Sequence, residues 1–339
     1  MTKMKVVRTD RELECPRVDA GLRERGLDLV TLPDGIPEES LMAEVADADL
    51  LLTCYTPITA RVIQAAPRLR GIVKYGVGID AIDIQAATRH RIPVVNIPEY
   101  AEETVAESAF ALMIALARRL CPLDREMKTS GWAWPVQQWM GRDLAGQTLA
   151  LVGVGRIGRA LARMAGLGFR MRVLGFDPFV ERASMREAGV EKCDRLSDLL
   201  PAADFVSLHS VLTPDTRHII GPAELEAMKP SAVLINVSRG ALVDESALVD
   251  ALLAGRLAGA GLDVFSLEPL TLSGHPLSRL FRLPNVILMP HLAFYTHEAM
   301  ERLERETLDR CDEILDGRPV LVKSHDPRLR SQSAGVEFV

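Results

Sequence analysis

Thr148-Leu149-Ala150-Leu151-Val152 runs directly into Gly153-Val154-Gly155-Arg156-Ile157-Gly158, and a helical stretch follows. An apolar strand, a G-x-G-x-x-G turn and a helix are the context in which such glycines bind a dinucleotide. Gly153 permits a tight turn, Gly155 lets backbone approach a pyrophosphate, and Gly158 lets helix and strand pack closely. The free N–H groups and the dipole of the helix start favour anionic phosphates. A second observation is independent. The next apolar run, 172–176, ends in Asp177, 19 residues beyond Gly158. A carboxylate there accepts hydrogen bonds from the ribose 2′- and 3′-hydroxyls and repels a 2′-phosphate, and no Arg follows directly. The pattern points to NAD(H) rather than NADP(H). The plainer alternative is that Asp177-Pro178 only opens a turn.

Outward from this loop the chain keeps one rhythm. Apolar runs at 5–8, 50–53, 71–74, 93–96, 148–152, 172–176, 205–208, 232–237, 261–264 and 286–289 read as strands. Most are continuous β-branched or Leu-rich runs, the composition of strands covered on both faces of a parallel sheet. Helical stretches such as 101–120, 158–166 and 245–254 separate them, which makes an α/β architecture with right-handed crossovers. Two sheets are expected, at about 1–98 and 146–291, with a long helix from near Glu102 bridging them. The last helix, about 296–315, returns to the first sheet. The first domain is therefore discontinuous, 1–101 plus 296–339, and the second is 102–295. The mixed charges Glu301, Arg302, Glu304, Arg305 and Glu306 read as a solvated helix face. The tail beyond Lys323 lacks periodicity and is expected to fray.

Composition excludes other classes. The chain has 339 residues, 48% hydrophobic and 25% charged, with a net charge of −6. That is neither a disordered nor a fibrous chain, and a mildly acidic one without a basic stripe argues against general nucleic-acid binding. No apolar core of signal-peptide length follows Met1, and the longest apolar run, 109–117, spans only half a membrane before Arg118-Arg119. Five scattered cysteines (Cys15, Cys54, Cys121, Cys193, Cys311) fit small buried thiols in a reducing cytoplasm, with neither a disulfide scaffold nor a metal site. Aromatics are only 5% of the chain, yet all three Trp fall between Trp132 and Trp139, and Phe294-Tyr295 sits close to His291.

Three strands of the second half end in a chemically active group. The run 232–237 leads to Ser238-Arg239, 261–264 is followed by Glu268-Pro269, and 286–289 leads to Pro290-His291. In a doubly wound sheet, ligands bind beyond the carboxyl ends of the strands. Arg239 can clamp a carboxylate and polarise a carbonyl. His291 can give a proton to the carbonyl oxygen and take it back. Glu268 can orient the imidazole and favour its charged form. A second glycine loop, Lys74-Tyr75-Gly76-Val77-Gly78-Ile79-Asp80, lacks the third glycine, since Ala81 stands there. It is a poor dinucleotide loop but a reasonable source of N–H groups for a small carboxylate.

At this point the residues resemble the D-isomer-specific 2-hydroxyacid dehydrogenases. The resemblance runs from about 50 to 315 and rests on 76–80, Val105-Ala106-Glu107, 153–158, Asn236 through Asp244, 261–265 with Glu268-Pro269, and Pro290-His291. It implies two Rossmann-like domains with the active site in the cleft between them. The discontinuous domain would bind substrate, and residues 102–295 would bind NAD. It implies Arg239, Glu268 and His291 as the catalytic set, with Asp263 meeting the nicotinamide amide. Thr104, Arg156, Ile157, His209, Thr213, Val237 and Ser238 look like cofactor contacts, and Val77 and Gly78 like the amides that hold the substrate carboxylate. Members are usually dimers joined through the cofactor domain. The implied activity is hydride transfer between NAD(H) and a small 2-keto or D-2-hydroxy acid, glyoxylate- or hydroxypyruvate-like or sugar-derived.

The departures carry alternatives. Phe294-Tyr295 after Ala293, and His209-Ser210-Val211-Leu212-Thr213, look like C-terminal-binding proteins, the NAD(H)-sensing corepressor branch. Phe294 either covers the substrate pocket or belongs to the core. The 131–139 segment looks like the arm of glyoxylate/hydroxypyruvate reductases, so Trp139 either reaches a neighbouring subunit's pocket or packs at a domain or dimer contact. Lys74 either meets a distal anionic group, as a 3-phosphoglycerate dehydrogenase would require, or is an exposed strand end.

Overall fold

The computed structural model describes residues 3–339. Two compact units divide the chain, one of residues 1–101 and 296–339, the other of residues 102–295. In the first, β1 (Lys5–Arg8), β2 (Asp28–Thr31), β3 (Leu50–Thr53), β4 (Ile72–Lys74) and β5 (Val94–Asn96) form a parallel sheet in the order β2-β1-β3-β4-β5. Strands β3 and β4 are buried throughout, as the unbroken Leu50-Leu51-Leu52 run requires for a sheet covered on both faces. The His297–Leu315 helix packs on β3, β4 and the Pro16–Glu24 helix. Thr296 caps it, its side chain accepting from the Ala299 N–H.

The second unit holds β6 (Thr148–Val152), β7 (Arg172–Phe176), β8 (Glu191–Lys192), β9 (Phe205–Leu208), β10 (Val233–Asn236), β11 (Gly259–Leu262) and β12 (Val286–Leu288). They run parallel in the order β12-β11-β10-β9-β6-β7-β8, so the chain reverses its direction of travel between β6 and β9. The Glu102–Ala117 helix, apolar almost all round, packs against β10, β11 and β12 within this unit. Leu149, Leu151, Val206, Leu234 and Ile235 are inaccessible at the sheet centre.

Several expectations need correction. The residues beyond Lys323 do not fray: β13 (Val320–Val322) pairs in parallel with β14 (Val336–Phe338), and Gln332 holds β5 by accepting from the Val94 N–H at 2.7 Å and donating to its carbonyl at 2.9 Å. Those bonds are made by single side chains across 238 residues, which no periodicity reports. Glu304 is not on a solvated face. It is buried and accepts the Arg17 N–H at 2.6 Å, closing the start of the Pro16–Glu24 helix. β11 begins two residues before the expected window, because Gly259 and Gly261 carry no side chain to announce a strand, and a Cβ at Gly259 would lie 2.4 Å from the Asn285 carbonyl oxygen. β2, β8 and β14, short and partly polar, and β13, apolar but only three residues long, had no strand expectation at all.

Candidate active site

The glycine loop lies at the sheet's reversal point, between β6 and the Arg156–Arg163 helix. Gly153 has φ +93°, and a Cβ on it would lie 2.6 Å from the Ser210 nitrogen. A Cβ on Gly158 would lie 2.6 Å from the Gly153 carbonyl oxygen, so helix and turn touch there. Gly155 faces open space, and no side chain caps the helix it begins. Open room over uncapped N–H groups fits a pyrophosphate. Asp177, at the end of β7, accepts the Val154 N–H at 2.9 Å and the Phe179 N–H at 2.9 Å. Each carboxylate oxygen keeps a second lone pair, so the side chain is fixed beside the loop and can still accept from hydroxyls.

The neighbouring strand ends are stitched together. Ser238 donates to the Ser210 carbonyl at 2.7 Å, and Ser210 to the Val152 carbonyl at 3.1 Å, joining the loops after β6, β9 and β10. Thr213 and Thr216 bond each other at 3.1 Å in the turn that follows. Arg156 pairs with Glu102, and Thr104 is buried in the next turn of that helix. Ile157 is half-buried in the first turn of the loop helix and Val237 is buried after β10. His209 Nε2 meets the Ser207 hydroxyl at 2.8 Å, while its Nδ1 is buried without a hydrogen-bond partner among the described residues. Burial lowers His209 to about 4, which keeps the ring neutral.

At the ends of β10, β11 and β12 the reactive residues assemble. His291 Nδ1 lies 2.8 Å from Glu268 Oε2, and Glu268 Oε1 accepts the Phe265 N–H at 2.8 Å. Burial pushes the Glu268 carboxyl up, but the hydrogen bond and charge of His291, with the Phe265 amide and Arg239, outweigh it and leave it below its ordinary value. The carboxylate therefore stays ionised against the ring, and Nε2 is left as the working nitrogen. His291 has φ +58°, and its N–H donates to the Asp263 carbonyl at 2.8 Å. Both Asp263 oxygens accept from the same segment, from the Leu292 and Ala293 N–H groups at 2.9 and 3.0 Å. Burial pushes the Asp263 carboxyl up, against the pull of those two amides. Asp263 thus fixes the backbone that carries His291. Arg239 donates to the Ser238 carbonyl at 2.7 Å, and Asn236 holds the turn between them, donating to the Arg239 carbonyl at 2.8 Å. A Cβ on Gly240 would lie 2.1 Å from the Phe265 carbonyl carbon, so the arginine turn can press against the Phe265-Ser266 backbone only because residue 240 is glycine.

Phe294 is buried, its ring edge-on to Tyr295 at 6.0 Å. Trp139 is half-buried, whereas Trp132 and Trp134 are exposed. In the first unit, the Val77 and Gly78 N–H groups donate to no described residue, and the Val77 carbonyl accepts from Asn96 at 2.6 Å. Lys74 is not an exposed strand end. It is buried, because its side chain folds back over the loop toward Cys54. Two residues escaped the sequence reading, Asn236 and Asp10. Asp10 is a buried carboxylate at φ +56° that accepts the Cys54, Tyr55 and Thr56 N–H groups at 2.7, 3.0 and 3.0 Å. Asn236 was visible within the motif it opens. Asp10 had no signal, since its partners lie more than 40 residues away.

No helix among the described residues is long and apolar enough to cross a membrane. Residues 110–293 match the family described as D-isomer specific 2-hydroxyacid dehydrogenase, NAD binding domain. A glyoxylate reductase of Korarchaeum cryptofilum is 45% identical over 271 residues, covering 79% of this chain and 80% of the relative. A D-3-phosphoglycerate dehydrogenase of Methanocaldococcus jannaschii is 37% identical over 289 residues, 85% of this chain and 54% of the relative. Among solved structures, a D-lactate dehydrogenase from Aquifex aeolicus, complexed with NAD and lactic acid, superposes with TM-score 0.81 at 31% identity over 92% of this chain and 96% of that one.

Proposed function

The chain belongs to the D-isomer specific 2-hydroxyacid dehydrogenase family, and from that premise we propose that it is a reductase of glyoxylate, hydroxypyruvate or a similarly small 2-keto acid, with Arg239, Glu268 and His291 as its catalytic residues. It is an NAD-linked oxidoreductase acting between 2-keto and 2-hydroxy acids. NAD, when bound, supplies or accepts the hydride at the carbonyl carbon. The residues that would hold it are the 153–158 turn at the pyrophosphate, Asp177 at the ribose, and Thr104, His209, Thr213, Val237, Ser238 and Asp263 along its length.

The observation that carries the catalytic assignment is the 2.8 Å contact of His291 Nδ1 with an ionised Glu268. Glu268 fixes the ring and engages Nδ1, so Nε2 can donate to the substrate oxygen during reduction and recover the proton during oxidation. Arg239, charged at any working pH, offers a fork to the carboxylate and draws electron density from the adjoining carbonyl. In the first unit, the Val77 and Gly78 N–H groups, which donate to no described residue, suit a carboxylate. Phe294 sets an apolar limit to the pocket. Purified protein should oxidise NADH with glyoxylate or hydroxypyruvate, and His291→Ala should abolish most of that rate. Silence across a panel of 2-keto acids would refute the proposal.

A second reading, 3-phosphoglycerate as substrate, is favoured by one observation: Lys74 has no carboxylate within ion-pair distance among the described residues, leaving its charge for a phosphate. Including 3-phosphoglycerate with NAD in the same panel decides it. We further propose a homodimer through the NAD-binding unit, supported by exposed Trp132, Trp134, Val136 and Met140 on the arm, and a cytoplasmic location, supported by five free thiols.

A further inference from the structure

Cys54 follows β3 and Lys74 ends β4, side by side at the carboxyl edge of the first unit's sheet, next to the β1/β3 reversal. The Lys74 ammonium nitrogen lies 3.2 Å from the Cys54 sulfur. Lys74 is 5% exposed and Cys54 7%. The ammonium also lies over the Tyr55 ring, 5.8 Å from its centroid. Gly76 makes room for it, since a Cβ there would sit 2.6 Å from the nitrogen. The sulfur cannot drift, because Asp10 pins the Cys54, Tyr55 and Thr56 amides. A thiol meant only to fill space needs no buried lysine against it, and a buried cation is costly without an anion. The dehydrogenase chemistry described above uses neither the sulfur nor its contact with the nitrogen.

We propose that Cys54 and Lys74 form a reversible covalent bridge under peroxide, a sulfenamide between Sγ and Nζ. The Cys54 sulfur attacks one oxygen of hydrogen peroxide. The O–O bond breaks, Cys54 becomes a sulfenic acid, and one water leaves, with sulfur oxidised by two electrons and peroxide reduced by two. The Lys74 ammonium gives one proton to water, and the amine nitrogen so formed attacks the sulfur. An S–N bond forms, the S–O bond breaks, and the departing hydroxide takes a proton from nitrogen as a second water. One thiol, one amine and one peroxide thus yield the bridge and two waters. Two equivalents of an external thiol reverse it, returning Cys54 and Lys74 and leaving with a disulfide. Burial pushes the Cys54 thiol above its ordinary value, and the Lys74 charge pulls it only part of the way back. The burial of both groups favours an oxidant as small as hydrogen peroxide over a bulky alkylating agent. Closure ties the loop after β3 to the end of β4 and removes the Lys74 charge. The consequence for turnover, unlike the bridge itself, rests on the reading of Lys74, Val77 and Gly78 as the substrate's anion contacts.

Full-length protein is treated with hydrogen peroxide, quenched, digested without reductant and analysed by mass spectrometry. The expected product is a peptide pair joined through Cys54 and Lys74, lighter by two hydrogen atoms than the free pair and absent after dithiothreitol. Cys54 recovered as thiol, or as sulfinic acid with Lys74 unmodified, overturns the inference. In the NADH-coupled assay the treated wild type should lose activity by about tenfold or more, the scale of losing one charge-assisted contact, and regain it with dithiothreitol. Cys54→Ser should keep its activity and lose the peroxide response. A bridge seen by mass with turnover unchanged would uphold the chemistry and overturn the assignment of Lys74 to the substrate.

Discussion

His291 is placed by its backbone before its side chain does anything. A positive φ, a hydrogen bond to the Asp263 carbonyl and the two Asp263 oxygens on Leu292 and Ala293 fix the peptide that carries it. His291→Ala should therefore lower turnover by roughly 10²–10⁴-fold, the usual contribution of general acid–base catalysis, with NADH affinity measured by fluorescence little changed. Asp177→Ala should weaken NADH and narrow the preference over NADPH, seen as a smaller ratio of kcat/KM for the two cofactors. It should also loosen the glycine loop, since Val154 loses its acceptor. His209 gives a pH signature. Its folded value of about 4 lies below the ordinary 6.5, so the unfolded chain binds the extra proton between these limits. Stability is complete above about 6.5 and falls as the pH drops toward 4. The melting temperature should decline over that window, and less steeply in His209→Gln; parallel curves would contradict the assignment. At this scale the proposed site residues Arg239, Glu268, His291 and Asp177 stood out in the sequence, because each follows an apolar strand. Asp10 and Glu304 were illegible, because their work is to accept N–H groups from remote segments.

The elements whose lengths were readable are those made of aliphatic runs, such as β3, β6 and β9. Where side chains are missing or polar the reading slipped: β11 is displaced by its glycines, and β2, β8 and β14 are short strands with polar or exposed positions, while β13, though Val320 and Val322 are buried, is only three residues long. Loops, more than strands, decide whether the site exists. The arginine turn and the segment after β11 meet backbone to backbone at Gly240. Gly240→Ala should cost on the order of 1–3 kcal/mol of stability, as overpacking does, measured by urea denaturation of the whole chain. Because the displaced turn carries Arg239, KM for the keto acid should rise in the same variant. An unchanged KM would mean that Arg239 does not meet the substrate.

The two units divide the chain unequally in sequence, and the first is completed only by residues 296–339. Two domains with a discontinuous first were legible because the strand-like runs pause between about 98 and 146, where a helical run stands instead, and because one more amphipathic helix remains after the last strand. The proposed dimer rests on a cluster of exposed rings, Trp132 and Trp134. Trp132→Ala with Trp134→Ala should shift the protein toward monomer in analytical ultracentrifugation, leaving the fold intact by circular dichroism. The interleaved order has a further consequence during synthesis. The faces of β3 and β4 are translated early, yet the His297–Leu315 helix that packs on them leaves the ribosome only after the whole second unit. At about 5–20 residues per second, the intervening roughly 200 residues delay that cover by on the order of 10–40 seconds. The second unit, contiguous in sequence, can finish folding on the ribosome first. The growing chain therefore carries an open, leucine-rich sheet through most of translation, and that interval, rather than the stability of the finished molecule, sets its demand for a chaperone.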